Sequence, residues 1–245
     1  MRRLIICWSV VMICLAQADV FMYLNTARIA YFNDRDYERA RKACLEGLAQ
    51  APDNVELLSI LGASEMGLGN WGAASQSFEK AFGADTAKTL DWITRRPEGV
   101  KYYFQAFYFH GRDLFERAEY EQALRYLGYD AVFGIDDINV RVLRGATLYR
   151  LGRFDEANEE YLQVLRIDPQ NPDVSYLIAK SLFDNEDYAG CLPYLSTAIT
   201  QYTTRYQRLG RVVFQNRGTI DSLLAQRIVV LWKKDDRDGL DRMLR

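Results

Sequence analysis

The chain has 245 residues, 49% hydrophobic and 13% aromatic, with 33 acidic against 31 basic side chains. That length and apolar content suit one or two ordinary domains or a single repeat array with a sizeable core. A net charge of −2 excludes a global attraction to nucleic acid or to an anionic membrane surface.

The first predicted element is apolar. Arg2 and Arg3 precede an apolar run from Leu4 to Leu15, and Ala16-Gln17-Ala18 sets small residues two apart. Charge, apolar core and small-residue site in that order predict a secretory signal peptide over 1–18, cleaved after Ala18. The run is too short for a membrane anchor, which needs roughly 17–25 apolar residues. Cys14 offers a lipidated variant, but Val11-Met12-Ile13 place no small residue just before it. Beyond the leader only Cys44 and Cys191 remain, with no C-x-x-C and no N-x-S/T sequon. The expectation is a periplasmic or secreted chain that is not transmembrane after cleavage and whose two thiols stay unpaired.

From residue 21 onward the pattern repeats. Tyr37, Trp71, Tyr120, Phe154 and Tyr188 form one column. Steps of 34 separate them, except for one step of 49 between Trp71 and Tyr120. Three residues on stand Ala40, Ala74, Ala123, Ala157 and Cys191, and four further on Cys44, Phe78, Leu127, Tyr161 and Leu195. Upstream lie Gly62, Gly111, Gly145 and Ala179, with Arg28 the exception. A small residue on a first helix lets a second helix come close. The aromatic after the turn is expected to fill the gap, and a proline such as Pro52 or Pro169 ends the second helix.

These columns resemble the tetratricopeptide repeat, a helix–turn–helix unit of about 34 residues. Leu61-Gly62, Trp71, Ala74, Phe78 and Ala81 carry the resemblance in one unit, and Gly145, Phe154, Ala157, Tyr161 and Pro169 in another. Arg28, Gly47 and Asp130 depart from it. The resemblance implies an all-α, right-handed α-solenoid of tandem 34-residue repeats. Its units are 21–54, 55–88, 104–137, 138–171 and 172–205, with an insertion at 89–103. Residues 206–245 read as a degenerate sixth repeat that caps the end. No unit buries its apolar face alone, so neighbours must stack.

Several motifs admit a chemical reading. Gly67–Gly72, "GLGNWG", is a literal G-x-G-x-x-G, but a helical pattern precedes it where a dinucleotide site needs a strand. His110 lies on an aromatic helix and reads as a hydrogen-bonded packing residue. Arg205, Arg208, Arg211 and Arg217 form a basic stretch that reads as a solvated face or an anion contact. The insertion Thr89–Tyr103 is either a binding loop or an extension that adjusts packing. No catalytic, metal or cofactor residues are expected.

The resemblance places the first helix of each unit on a concave, partner-binding face. One stripe of that face is Phe32, Met66, Phe115, Tyr149 and Phe183. Tyr108 and Tyr176 lie seven residues before Phe115 and Phe183, and Arg112, Arg150 and Lys180 make the trough partly basic. The expected function is a non-enzymatic interaction scaffold of the bacterial envelope, holding an extended, partly acidic peptide or protein segment. The competing expectation is a small-ligand or lipid-binding protein with an aromatic pocket near the insertion.

Overall fold

The computed structural model describes residues 19–205. The leader over 1–18 and the cap over 206–245, including Arg208, Arg211 and Arg217, lie outside the described residues. Among the described residues there are helices and turns and no strand. Helix α1 covers residues 19–34 and ends in a π-helical stretch, Ile29–Asp34. There follow α2 (Tyr37–Leu48), α3 (Val55–Gly67), α4 (Trp71–Ala84), α5 (Thr86–Thr94) and α6 (Gly99–Glu116). The chain continues with α7 (Tyr120–Leu127), α8 (Asp130–Phe133), α9 (Ile138–Arg150), α10 (Phe154–Ile167), α11 (Pro172–Asp184) and α12 (Tyr188–Arg205).

The described residues form two compact units. One runs to Arg117 and takes in Arg125–Ile135; the other holds Ala118–Leu124 and the chain from Asp136 on. In the first unit α2 packs on α1 and α3, α3 on α4, and α4 on α6. In the second, α9 packs on α10, α10 on α11, and α11 on α12.

Side-chain oxygens start most of the first helices. Asn54 accepts from the Leu57 amide, Asp137 from Asn139 and Asn171 from Val174, each at 2.9–3.0 Å. They satisfy donors that a helix N-terminus leaves without intrahelical partners.

The helix pairs close over missing side chains. A Cβ on Gly145 would lie 2.5 Å from the Tyr161 ring, and one on Gly62 would lie 2.8 Å from Phe78. The ring that covers each glycine therefore belongs to the Phe78/Tyr161 column. The aromatic after the turn, expected in that place, packs elsewhere: Trp71 lies 4.7 Å from Phe109, and Tyr37 covers Gly67 of the following helix. Cys44, Phe78, Leu127, Tyr161 and Leu195 are each no more than 2% exposed, as are the five small residues that precede them. Among the described residues the two cysteines, Cys44 and Cys191, are free thiols.

The turn between paired helices has one recurring constraint. Two residues before each turn aromatic stand Arg35, Gly69, Ala118, Gly152 and Glu186, and all five have φ between 52° and 78°. After α3, α9 and α11 the next amide reaches back five residues: Asn70 to Glu65, Arg153 to Leu148, Asp187 to Leu182, at 2.9–3.0 Å. This closes the helix end with a left-handed residue, a conformation that only glycine takes without strain. It also accounts for "GLGNWG": Gly69 is the left-handed turn residue between α3 and α4, with a helix on each side.

The departures have local causes. The π-helical stretch inserts one residue into α1, so counting back from Tyr37 is out of register by one. Fully buried Ala27 takes the small-residue place, and Arg28 instead forms a two-point ion pair with Glu56 at 2.6 and 2.7 Å. Gly47 is tight, since a Cβ there would meet Leu57 at 2.8 Å and Tyr23 at 3.1 Å. Asp130 begins α8, where the second helix of its repeat breaks after Leu127, and its carboxylate accepts from the Ala131 amide at 2.8 Å.

The insertion is a helix of its own rather than an extension of α4. Asp85 stops α4 in an extended conformation and caps α5 by accepting from the Lys88 amide at 2.9 Å. Helix α5 packs against α3, α4 and α6.

These contacts and turns lead to three stability predictions. Gly62→Ala and Gly145→Ala should each lose about 1–3 kcal/mol by overpacking in urea unfolding. Gly83→Ala meets nothing within 4 Å and should gain about 0.5–1 kcal/mol from helix propensity. Ala118→Gly and Glu186→Gly should stabilise by about 0.5–1 kcal/mol. They relieve a left-handed residue costing about 1–2 kcal/mol, against about 0.4–1 kcal/mol returned by the freer unfolded chain.

Candidate functional site

The expected stripe residues fall in both compact units. In the second, α9 and α11 are successive first helices and stand side by side. Tyr149, on the last turn of α9, is half-buried, and its hydroxyl donates to Asp184 of α11. The Lys180 ammonium lies 4.3 Å from the centre of the Tyr149 ring, a cation–π contact. The Phe154 ring meets Tyr149 edge-on at 5.6 Å. One turn aromatic, one cation and one carboxylate therefore fix the Tyr149 side chain.

Tyr149 holds its proton far above the usual tyrosine range, first through burial and then through the hydrogen bond and charge of Asp184. The Tyr176 hydroxyl is shifted the same way, by burial and then by Asp184. Phe183, half-buried, meets Tyr188 edge-on at 5.3 Å. Arg150 is exposed beside Tyr149. The α9/α11 face thus holds three aromatic rings and two cations foreseen from sequence. It also holds one carboxylate that the stripe count missed. Asp184 stands next to Phe183 at the end of α11, outside the spacing that selected the others.

In the first unit the expected residues are less alike. Met66 is 4% exposed and belongs to the core of α3, so it is not part of an open face. Phe115 and Tyr108 are half-buried on α6. Exposed Arg112 is engaged on its own helix, within 3.7–3.8 Å of Asp113 and Glu116 and 4.9 Å from the Phe109 ring centre. Phe32 is 38% exposed, and the insertion reaches it: the Arg96 guanidinium lies 4.4 Å from the Phe32 ring centre and 4.4 Å from that of Trp92.

The aromatic residues around the insertion fill the space between them. Trp92 meets Tyr103 at 5.6 Å, Phe78 meets Tyr103 at 5.8 Å, and Phe107 stacks on Tyr129 at 4.3 Å. Glu79 collects the Arg125 guanidinium and the hydroxyls of Tyr126 and Tyr129. His110 Nδ1 lies 2.6 Å from Ser75 Oγ, and its ring packs 4.3 Å from Tyr126, a hydrogen-bonded packing residue as its position implied. Among the described residues no helix is long and apolar enough to cross a membrane, and no cluster of three metal-ligating side chains occurs.

Small-residue contacts, left-handed turns and buried columns define the class: an all-α repeat protein of α-solenoid type. Residues 145–185, spanning most of α9 through α11, match the TPR repeat family. That stretch accordingly carries the tetratricopeptide repeat pattern.

The chain is similar to the DnaJ homolog subfamily C member 7 homolog of Schizosaccharomyces pombe, 32% identical over 158 residues. That match covers 60% of this chain and 31% of the relative. It is also similar to Intraflagellar transport protein 70B of Rattus norvegicus, 27% identical over 94 residues, covering 38% of this chain and 14% of that one. The chain therefore spans under a third of either relative. Among solved structures it is similar to MamA protein, at 20% identity and TM-score 0.48, covering 77% of this chain and 95% of that one. It is likewise similar to YrrB, a TPR protein with an unusual peptide-binding site, at 22% identity and TM-score 0.48, covering 72% and 83%.

The tyrosines of the first unit give a pH prediction. Burial pushes the Tyr31 hydroxyl up to about 12, and burial with the Glu79 carboxylate pushes Tyr129 up to about 12. In the unfolded chain both ionise near 10. Above that pH the unfolded chain binds fewer protons, so stability falls as pH rises. The contribution is complete below about pH 10 and lost as pH climbs through about 12. Melting temperatures followed from pH 8 to 12 should stay level and then fall, and Tyr31→Phe should soften that fall.

Proposed function

We propose that this chain is a non-enzymatic protein–protein interaction scaffold that holds an extended peptide segment across α9 and α11. The observation that carries the reading is the fixed Tyr149 ring, clamped by Lys180 and Asp184 beside Tyr176 and Phe183. Aromatic anchors whose rotamers are fixed before binding lose little conformational freedom when a partner arrives. Arg150 and Lys180 favour acidic positions in the segment, while Asp184 sets one position that favours a donor or a cation. The small-ligand alternative loses its support at the insertion, where the rings that would line a pocket pack onto one another. Export to the envelope rests on the pattern of residues 1–18, and N-terminal sequencing of the protein from its native host tests it.

Selection of a random peptide library on the full chain tests the binding reading. Recovered peptides should combine apolar or aromatic positions with Asp or Glu. Phe183→Ala together with Arg150→Glu should weaken them at least about tenfold, roughly 1.4 kcal/mol, with far-UV circular dichroism unchanged. Equal affinity for the double variant would remove the site from α9/α11.

A further inference from the structure

The insertion presents a polar feature of its own within the first unit. Arg96 follows α5, and its guanidinium sits against two rings, Phe32 of α1 and Trp92 of α5. Those rings are inclined at 43° with centroids 6.4 Å apart, so the guanidinium lies in the corner they make. Two donors of this cluster, Trp92 Nε1 and Arg96 Nε, are buried with no hydrogen-bond partner. Trp92 is itself 7% exposed, so its indole N–H is cut off from bulk water. A buried donor left unpaired is costly, and native structures serve nearly all such donors with protein, ordered water or a bound group.

The acids closest in sequence do not answer this charge. Asp91 accepts from Arg95 at 2.9 Å, within their own helical turn. Glu98 accepts from the Tyr103 hydroxyl at 3.3 Å. Among the described residues no carboxylate pairs with Arg96. The site is therefore a cation held by two aromatic faces, with an apolar ring, Phe32, exposed beside it.

We propose that the Phe32–Trp92–Arg96 corner is a carboxylate-binding site for an acidic side chain of a partner peptide, separate from the α9/α11 face. The planar fork of arginine matches a carboxylate at two points. Ring stacking strips water from one side of the guanidinium and fixes its plane before the acid arrives. Phe32 offers an apolar seat to the residue next to that acid. The insertion thus equips the first unit with a recognition element that the regular repeat does not carry.

The test is calorimetric titration of the full chain, at low salt, with a capped octapeptide of Leu and Ala carrying two Glu, and with its Gln isostere. Wild-type protein should bind the Glu peptide at least about tenfold more tightly, the scale of one good charge-assisted pair. In the Phe183→Ala, Arg150→Glu background, where the α9/α11 face no longer contributes, Arg96→Gln should abolish that preference, and Arg96→Lys should restore part of it. Phe32→Leu, which removes the exposed ring face from the guanidinium and keeps an apolar seat, should weaken the Glu peptide several-fold. That variant decides the matter if Arg96→Gln fails to fold. Phe183→Ala with Arg150→Glu should leave the preference intact, which separates this site from the α9/α11 reading. Equal binding of the two peptides, an unchanged preference on adding Arg96→Gln to that background, or its loss in the α9/α11 double variant would overturn the proposal. So would saturation by inorganic phosphate without binding of the Glu peptide.

Discussion

The structure depends on how closely paired helices approach each other, and that is set where a side chain is missing. The ring of Phe78 lies on Gly62 and the ring of Tyr161 on Gly145, at separations that leave no room for a methyl group. The approach removes Phe78, Tyr161 and their counterparts from water, and each such side chain contributes on the order of 1.5–3 kcal/mol. It also draws in the small residues Ala74 and Ala157, which are fully buried. A pair alone leaves one side of these helices bare. Hence α3 is covered from two sides, by α2 and α4, and α10 by α9 and α11.

The turns turn that spacing into a repeat. Each pair reverses through one left-handed residue, and the same backbone is kept whether it is Gly69 and Gly152 or Arg35, Ala118 and Glu186. Keeping a costly conformation with three non-glycine residues means that packing of the two helices outweighs the local strain. The π-helical stretch of α1 shows the same hierarchy. The helix takes in one extra residue, and fully buried Ala27 still faces the core while Arg28 turns out to Glu56.

The two proposed recognition surfaces are built from what this packing leaves over. On α9 and α11 the leftover residues are aromatic, and Asp184 and Lys180 hold Tyr149 in one position. At the insertion the leftover is a cation, stacked but not neutralised. Both are features of side chains whose freedom has already been spent inside the fold, which is what lowers the entropic cost of binding.

The architecture was legible from the sequence because repeat physics leaves columns. The residue at a helix contact must be small, its partner must be large and apolar, and both demands return every 34 positions. Tyr149, Lys180 and Phe183 could be placed on one face for the same reason: helical spacing is local. The sequence could not show which ring covers the glycine, because Phe154 and Tyr161 lie on the same helix, and only the crossing of α9 and α10 selects Tyr161. Nor could it show that Met66 is core, that Asp184 reaches Tyr149, or that Arg96 reaches Phe32 across more than sixty positions. Those facts concern pairs of residues brought together by the stacking of separate helices. Periodicity fixes the face on which a side chain stands, and only tertiary packing decides what stands opposite it.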